Sequence, residues 1–208
     1  MCGRFVQTDS PKKLSERMRL PEGSLFDRPR FNVAPTQPIA VIRPGELVAL
    51  RWGLVPSWSK DGKGFINARA ETAAEKPTFR SAFKKRRCLI PADGFYEWRK
   101  TEDGKKQPYC IRMRDNEPFA FAGLWEGETC AILTTAANDV MRPIHDRMPV
   151  IVAPGNYERW LAEPDASVLQ PYPAKAMMAY PVSTYVNNAR QEGPMCIEPM
   201  EGEIGQAP

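Results

Sequence analysis

Cysteine stands second in the chain, in Met1-Cys2-Gly3-Arg4-Phe5. A small residue after an initiator methionine lets an aminopeptidase remove that methionine, which leaves Cys2 as the mature N-terminus. One residue then carries a free α-amine and a thiol on adjacent carbons. In model peptides the amine titrates near pH ~8 and the thiol near ~8.5, so both have nucleophilic populations at neutral pH. The amine can condense with an aldehyde to an imine, and the thiolate can then close on the imine carbon to a five-membered thiazolidine. The alternative chemistry is acyl transfer, with the thiol attacking a carbonyl and the amine serving as base. Termini are usually loose and tolerant of change, so Cys2 acquires meaning only from the residues that could surround it.

Five other groups of residues have the types for such chemistry or for holding its substrate. Arg4 places a fixed charge two residues from the nucleophile and suits bidentate contact with phosphate, though a plain surface charge is an equal reading. Asn67, in Phe65-Ile66-Asn67-Ala68-Arg69, offers one acceptor and two donors in a strand-like run. It could orient a sugar hydroxyl or the terminal amine, or simply mark a turn. In Asp93-Gly94-Phe95-Tyr96-Glu97-Trp98, period-two alternation puts Phe95 with Glu97 on one face and Tyr96 with Trp98 on the other. Glu97 therefore sits among aromatics, where a carboxylate serves as a general acid or base, or as a buried structural ion pair. His145, the only histidine, follows a proline-bounded turn between Ile144 and Asp146-Arg147, and histidine is the side chain suited to proton transfer near neutrality. Finally, Arg80 and Lys84-Lys85-Arg86-Arg87 form a basic run, and Trp52 and Trp58 punctuate Arg51-Trp52-Gly53-Leu54-Val55-Pro56-Ser57-Trp58. Cations to follow phosphates and flat rings to stack on bases are what single-stranded nucleic acid requires; a solvated face and core tryptophans are the plainer reading.

The elements that must position these residues are mostly strands. Ser10-Pro11 predicts a helix N-cap followed by proline, opening a short helix that ends before Pro21. Ile39–Ile42, a Pro44-Gly45 turn and Leu47–Leu54 read as a hairpin. Further strands are expected at Cys88–Ile90, Gly94–Arg99, Tyr109–Arg114, Pro118–Leu124, Thr129–Thr135 and Met178–Val182, with turns at Asp103-Gly104 and Glu126-Gly127. A helix over Tyr157–Ala162 follows Asn156, a good capping residue. The 21 prolines favour short elements throughout. The expectation is an α+β fold, a single β-rich domain over residues 1–190, its mostly antiparallel strands forming an irregular pseudo-barrel with a few short helices. A tail from 191 to 208, rich in Glu, Pro and Gly, is expected to be partly mobile.

Composition narrows the classes. At 208 residues with 42% hydrophobic content, the chain can bury one substantial core. A net charge of +4 permits a basic groove without demanding one. One histidine and five scattered cysteines without a Cys-x-x-Cys pair argue against a metal site or a disulfide framework and for a reducing cytoplasmic setting. No run is long and apolar enough for a signal peptide or a membrane span.

Taken together, the segments resemble the SRAP family (SOS response-associated peptidases, or abasic-site-processing proteins). The resemblance rests on Met1-Cys2-Gly3-Arg4-Phe5, Asn32-Val33-Ala34-Pro35-Thr36, Arg51-Trp52-Gly53-Leu54-Val55-Pro56, Asn67-Ala68-Arg69-Ala70-Glu71-Thr72, Cys88 to Trp98, and Ile144-His145-Asp146-Arg147-Met148-Pro149, in the family's order. It implies that Cys2 captures the aldehyde of a ring-opened abasic site in single-stranded DNA as a thiazolidine crosslink, protecting the site during replication-associated repair. It further implies that Asn67 positions the terminal residue or the sugar, that Glu97 serves the proton transfers, and that His145 is a second proton shuttle that assists reversal. Arg4, Arg69 and Arg147 would hold phosphates or the sugar, Trp52 and Trp98 would pack against DNA, and Pro35 would shape the site around Cys2. No metal or organic cofactor is implied. The expected partners are abasic single-stranded DNA and proteins of the replication fork, the expected state a monomer that meets DNA at the nucleoid. An imine at C1′ also acidifies the C2′ protons, so lyase activity is implied, with ring closure competing against strand cleavage.

Two rivals differ in class. An N-terminal-nucleophile cysteine peptidase would recruit Cys2, Glu97 and His145 to amide cleavage, but only Met1 precedes Cys2, so self-processing reduces to methionine loss. A non-covalent reader of modified bases would survive substitution of Cys2, whereas the crosslinker would not.

Overall fold

The fold is a set of hairpins hinged on glycine turns. The computed structural model describes residues 2–21 and 28–200; the expectations for Met1 and for the end of the tail lie outside them. In chain order the elements are β1 (Phe5–Gln7), α1 (Ser10–Arg17), β2 (Arg30–Val33), β3 (Pro38–Arg43), β4 (Glu46–Trp52), β5 (Asn67–Arg69), α2 (Ala70–Ala73), α3 (Arg80–Lys85), β6 (Arg87–Ala92), β7 (Gly94–Lys100), β8 (Lys106–Met113), β9 (Phe119–Glu126), β10 (Thr129–Ala136), β11 (Arg147–Pro149), β12 (Ile151–Val152), α4 (Tyr157–Ala162) and β13 (Met177–Pro181). Gly45, Gly104 and Gly127 adopt φ of +81°, +80° and +53° at the β3–β4, β7–β8 and β9–β10 turns, a region that costs glycine little and L-residues more.

Two sheets result. The first runs β13-β8-β7-β1-β2 and is wholly antiparallel. The second runs β11-β10-β4-β3-β6-β9-β12, and β10 also pairs with β9, so β10, β4, β3, β6 and β9 close into a ring. This is the expected pseudo-barrel, with parallel pairing only where β10 meets β4 and β5. Alternation along each strand divides the core. Ile90 and Phe121 join Phe5, Phe95 and Ile111 of the first sheet, while Leu89, Ala120 and Ala122 face Leu14, Phe83 and Trp160 from the helices. On the outer face of the first sheet, Tyr96 and Cys110 are covered by Val182, Val186 and Cys196 of the C-terminal segment.

β1 is only three residues long and owes its place to this packing. Phe5 makes edge-to-face contacts with Trp52 and Phe121, centroids 5.2 and 5.8 Å apart, each worth about 0.5–1.5 kcal/mol beyond area burial. That anchor fixes where Cys2 lies.

Several local expectations change. Ser10 opens α1 as a helical residue rather than as a capping one; the Asp93 carboxylate, reaching from the β6–β7 turn, accepts the Thr8 and Ser10 amides instead. Asn156 precedes α4, but its side chain makes no capping bond. Residues 191–200 pack against the domain: Cys196 is fully buried and Val182 bridges Pro199.

Candidate active site

Strand registers bring the chemistry-bearing residues to one corner. Phe5 pairs with Phe95 and with Val33, and the Tyr96 amide donates to the Arg4 carbonyl at 3.0 Å. Continuing those antiparallel registers carries Cys2 and Gly3 alongside Glu97 and Trp98 on one side. On the other it carries them toward the turn that contains half-buried Pro35. From the opposite direction β5 lies parallel to β10, Asn67 beside Ile132, and the Asn67 amide Nδ2 donates to the Cys2 carbonyl at 2.8 Å. Its Oδ1 is buried and accepts no hydrogen bond among the described residues. A buried acceptor left so costs about 1–3 kcal/mol, and an ammonium or a sugar hydroxyl would satisfy it.

Cys2 is fully buried and Glu97 is 3% exposed. Burial pushes the Cys2 thiol far above the ordinary thiol range, and the Glu97 carboxylate pushes it in the same direction. Glu97 also shares the wall of a cleft of about 460 Å³ with Trp98, Lys106, His145 and Asn187. His145 Nδ1 is placed between two partners: it can accept the Arg147 amide at 3.0 Å, and it lies 2.8 Å from Asp146 Oδ1, a contact that is attractive only when Nδ1 carries a proton.

The arginines divide by what they touch. Arg4 donates Nη1 to Asn32 Oδ1 at 2.7 Å and to the Val186 carbonyl at 2.8 Å, and lies 5.8 Å from the Trp98 ring centroid. Burial lowers its pKa, which measures the cost of holding that charge away from water. Its Nε is buried without a partner among the described residues. Asn32 completes the anchor by donating to the carbonyls of Val186, Asn188 and Gln191. Arg69 is exposed and shares the strand face of Asn67, two residues away. Arg147 is spoken for: its two Nη atoms contact Glu71 Oε1 at 2.6 Å and Oε2 at 2.9 Å, and Nη2 also donates to the Thr134 carbonyl.

Cys2, Asn67, Glu97, His145, Trp98 and Arg4 thus converge on one corner. Trp52 is a correction. It is fully buried, its indole N–H donates to the Ile66 carbonyl at 2.9 Å, and its ring packs on Phe5, so it has no face for DNA. Trp58 is 61% exposed, on a loop whose neck is closed by reciprocal Leu54 and Phe65 hydrogen bonds of 3.0 and 2.9 Å. Only glycine fits that neck at 64, where a Cβ would stand 2.6 Å from the Gly53 carbonyl oxygen. The basic run is also largely taken apart. Arg87 is buried and donates to the carbonyls of Phe83, Trp160 and Leu161, and Arg86 is paired with Glu126. Lys106 and Asn187 were not among the expected site residues. Lys106 had a signal, because a turn at Asp103-Gly104 sets it opposite Lys100; Asn187 had none.

Residues 1–189 match a family model described as SOS response associated peptidase (SRAP). The chain is 44% identical to the abasic site processing protein YoqW of Bacillus subtilis, over 95% of this chain and 99% of that one. It is 31% identical to YedK of Escherichia coli, also named an abasic site processing protein, over 96% and 100%. Among solved structures, a protein from Bacteroides thetaiotaomicron superposes with a TM-score of 0.84 at 28% identity, covering 96% of this chain and all of the other.

Proposed function

The chain belongs to the SRAP family, and on that premise we propose that it captures the ring-opened aldehyde of an abasic site in single-stranded DNA as a thiazolidine on Cys2. The observation that carries the reading is the enclosure of Cys2 between Asn67, which holds its carbonyl, and Glu97, whose carboxylate acts on its thiol. Hydrolytic loss of Met1 frees the α-amine. The α-ammonium gives a proton to the Glu97 carboxylate, the freed amine adds to the C1′ aldehyde, and Glu97 returns that proton to the departing hydroxyl as the carbinolamine loses one water. The thiol then gives its proton to Glu97 as sulfur bonds to the imine carbon, and the nitrogen ends protonated or neutral according to pH. One aldehyde, one amine and one thiol become one ring and one water.

In that order the thiol closes the ring only once an imine is in place. Enclosure of both nucleophiles supplies proximity, which is worth roughly 7–11 kcal/mol in well-oriented intramolecular reactions. Asn67 Oδ1 would take the α-ammonium or a sugar hydroxyl, Arg69 and Arg4 the flanking phosphates, and exposed Trp58 a base. His145, across the cleft, would return a proton when the ring reopens. DNA reaches Cys2 through the cleft that Glu97 and His145 line.

Incubation with an abasic single-stranded oligonucleotide, read on a denaturing gel, tests this. The parent chain should give a stable adduct without reductant. Cys2→Ser should give none, but should form a borohydride-trappable imine and cut the strand, because no thiol diverts the imine. Glu97→Gln should slow adduct formation about a hundredfold or more with little change in binding. A stable adduct with Cys2→Ser sinks the mechanism; an unchanged rate with Glu97→Gln removes Glu97 from the chemistry.

A further inference from the structure

Beyond Tyr96 and Tyr109 the β7–β8 hairpin leaves its sheet. β13 pairs with β8 only as far as Tyr109, and β1 pairs with β7 only at Gly94 and Phe95; beyond them Trp98–Lys100 ladder with Lys106–Pro108, and only the base of this ribbon is tied to the C-terminal segment, by Val182 N–H to the Pro108 carbonyl, Gln107 Nε2 to the Val182 carbonyl and the Trp98 indole N–H to Asn187 Oδ1. This two-stranded ribbon starts where Cys2 lies. On one of its faces Trp98 is followed by Lys100, which stands directly opposite Lys106. Both lysines are exposed, and neither forms an ion pair among the described residues. The other cations of the hairpin are occupied: Lys105 pairs with Asp103 at 2.9 Å, and Arg99 stacks over the Tyr109 ring on the opposite face, 4.9 Å from its centroid.

Like charges directly opposite across an antiparallel ladder work against folding. The pair is thus a local cost in the free protein that a polyanion would remove. Inward from it the same face continues to Trp98, then to Arg4 beside that ring, and Lys106 itself lines the cleft. Lys100 lies two residues beyond Trp98, about 7 Å along the strand. The order is guanidinium, aromatic ring, paired ammonium groups, leading outward from the nucleophile.

We propose that this face of the β7–β8 ribbon is a track for the single strand flanking the abasic nucleotide, with Lys100 and Lys106 together holding its phosphates. The proposal rests on the reading that Cys2 takes an abasic sugar. It names the route by which one flank leaves the site.

The test is the salt dependence of non-covalent binding to an unmodified single-stranded oligonucleotide, for the parent chain and for the double variant Lys100→Ser with Lys106→Ser. Each phosphate contact on a single strand contributes about 0.7 to the slope of log affinity against log salt. Losing two should make the variant's slope shallower by about 1.4. An unchanged slope overturns the track. The variant's thermal midpoint at low salt should equal or exceed the parent's, since a repulsion has been removed; a lower midpoint contradicts the idea that the pair is a cost held for a ligand. Adduct formation by the parent chain, run alongside, separates the two readings. An adduct with an unchanged slope defeats the track alone, and no parental adduct defeats the function on which it rests.

Discussion

The densest cluster of positive charge in the chain, Arg80 with Lys84-Lys85-Arg86-Arg87, and the sparser lysines of the β7–β8 ribbon exchange roles between sequence and structure. In the first region Arg86 and Arg87 serve the fold. Arg87 closes three carbonyls, those of Trp160 and Leu161 in α4 and of Phe83 in α3, and Arg86 binds Glu126 and the Trp125 carbonyl. In the second, two lysines separated by six positions are brought face to face. A run of cations does not by itself make a field; the charge that reaches a ligand is what remains after the chain's own carbonyls and carboxylates have taken their share.

The contrast breaks most readily at Arg87. Replacing it with Met would strand three buried carbonyls and should cost about 3 kcal/mol of stability, measured by urea unfolding; a loss under 1 kcal/mol would mean that Arg87 is not the anchor described. Trp58→Ala should weaken single-strand binding by about 1–3 kcal/mol while leaving stability within about 0.5 kcal/mol; the reverse pattern would make Trp58 a folding residue like Trp52. Lys84→Ser with Lys85→Ser should leave the salt slope of binding as it is. If that pair flattened the slope as much as the ribbon lysines do, the distinction between the two regions would collapse.

The smallest effect concerns Glu71. Its hydrogen bond and charge contact with Arg147 depress its pKa below the ordinary carboxylate value. A folded-state pKa below the unfolded one stabilises above the unfolded value, and the contribution is lost as pH falls through the folded value. Glu71→Gln should therefore lower stability at neutral pH and reduce the loss on acidification below about pH 4. Because the Glu71 side chain is 49% exposed, the change should stay within the modest range of surface pairs. Identical acid limbs in calorimetry would detach the pair from stability.

Much of this arrangement is legible in the sequence because it is local. Alternation and a glycine able to take positive φ mark the β3–β4, β7–β8 and β9–β10 hairpins and their turns. The faces of Phe95, Tyr96, Glu97 and Trp98 follow from the strand period. What is not legible depends on distant partners. β1, β5, β11 and β12 have two or three residues each and are strands only because a neighbour pairs with them. Helix α3 hides in a basic run. Trp52 and Trp58 look equivalent until the register of β4 puts one against Phe5 and leaves the other on a loop. The cap of α1 comes from Asp93, over eighty residues away in the chain. At the site, Cys2, Asn67, Glu97 and His145 announce themselves by type and motif, whereas Asn187 reaches the cleft on a C-terminal segment held by Asn32.

The central claim is that Cys2 ends as a thiazolidine, and the intact mass of the product tests it most directly. The purified chain mixed with a single-stranded oligonucleotide bearing one abasic site should give one species whose mass equals the chain without Met1 plus the DNA less one water, unaltered by borohydride. A product that gains two hydrogens on reduction would be an open imine, and no adduct at all, with a free Cys2 and an intact aldehyde, would contradict the account.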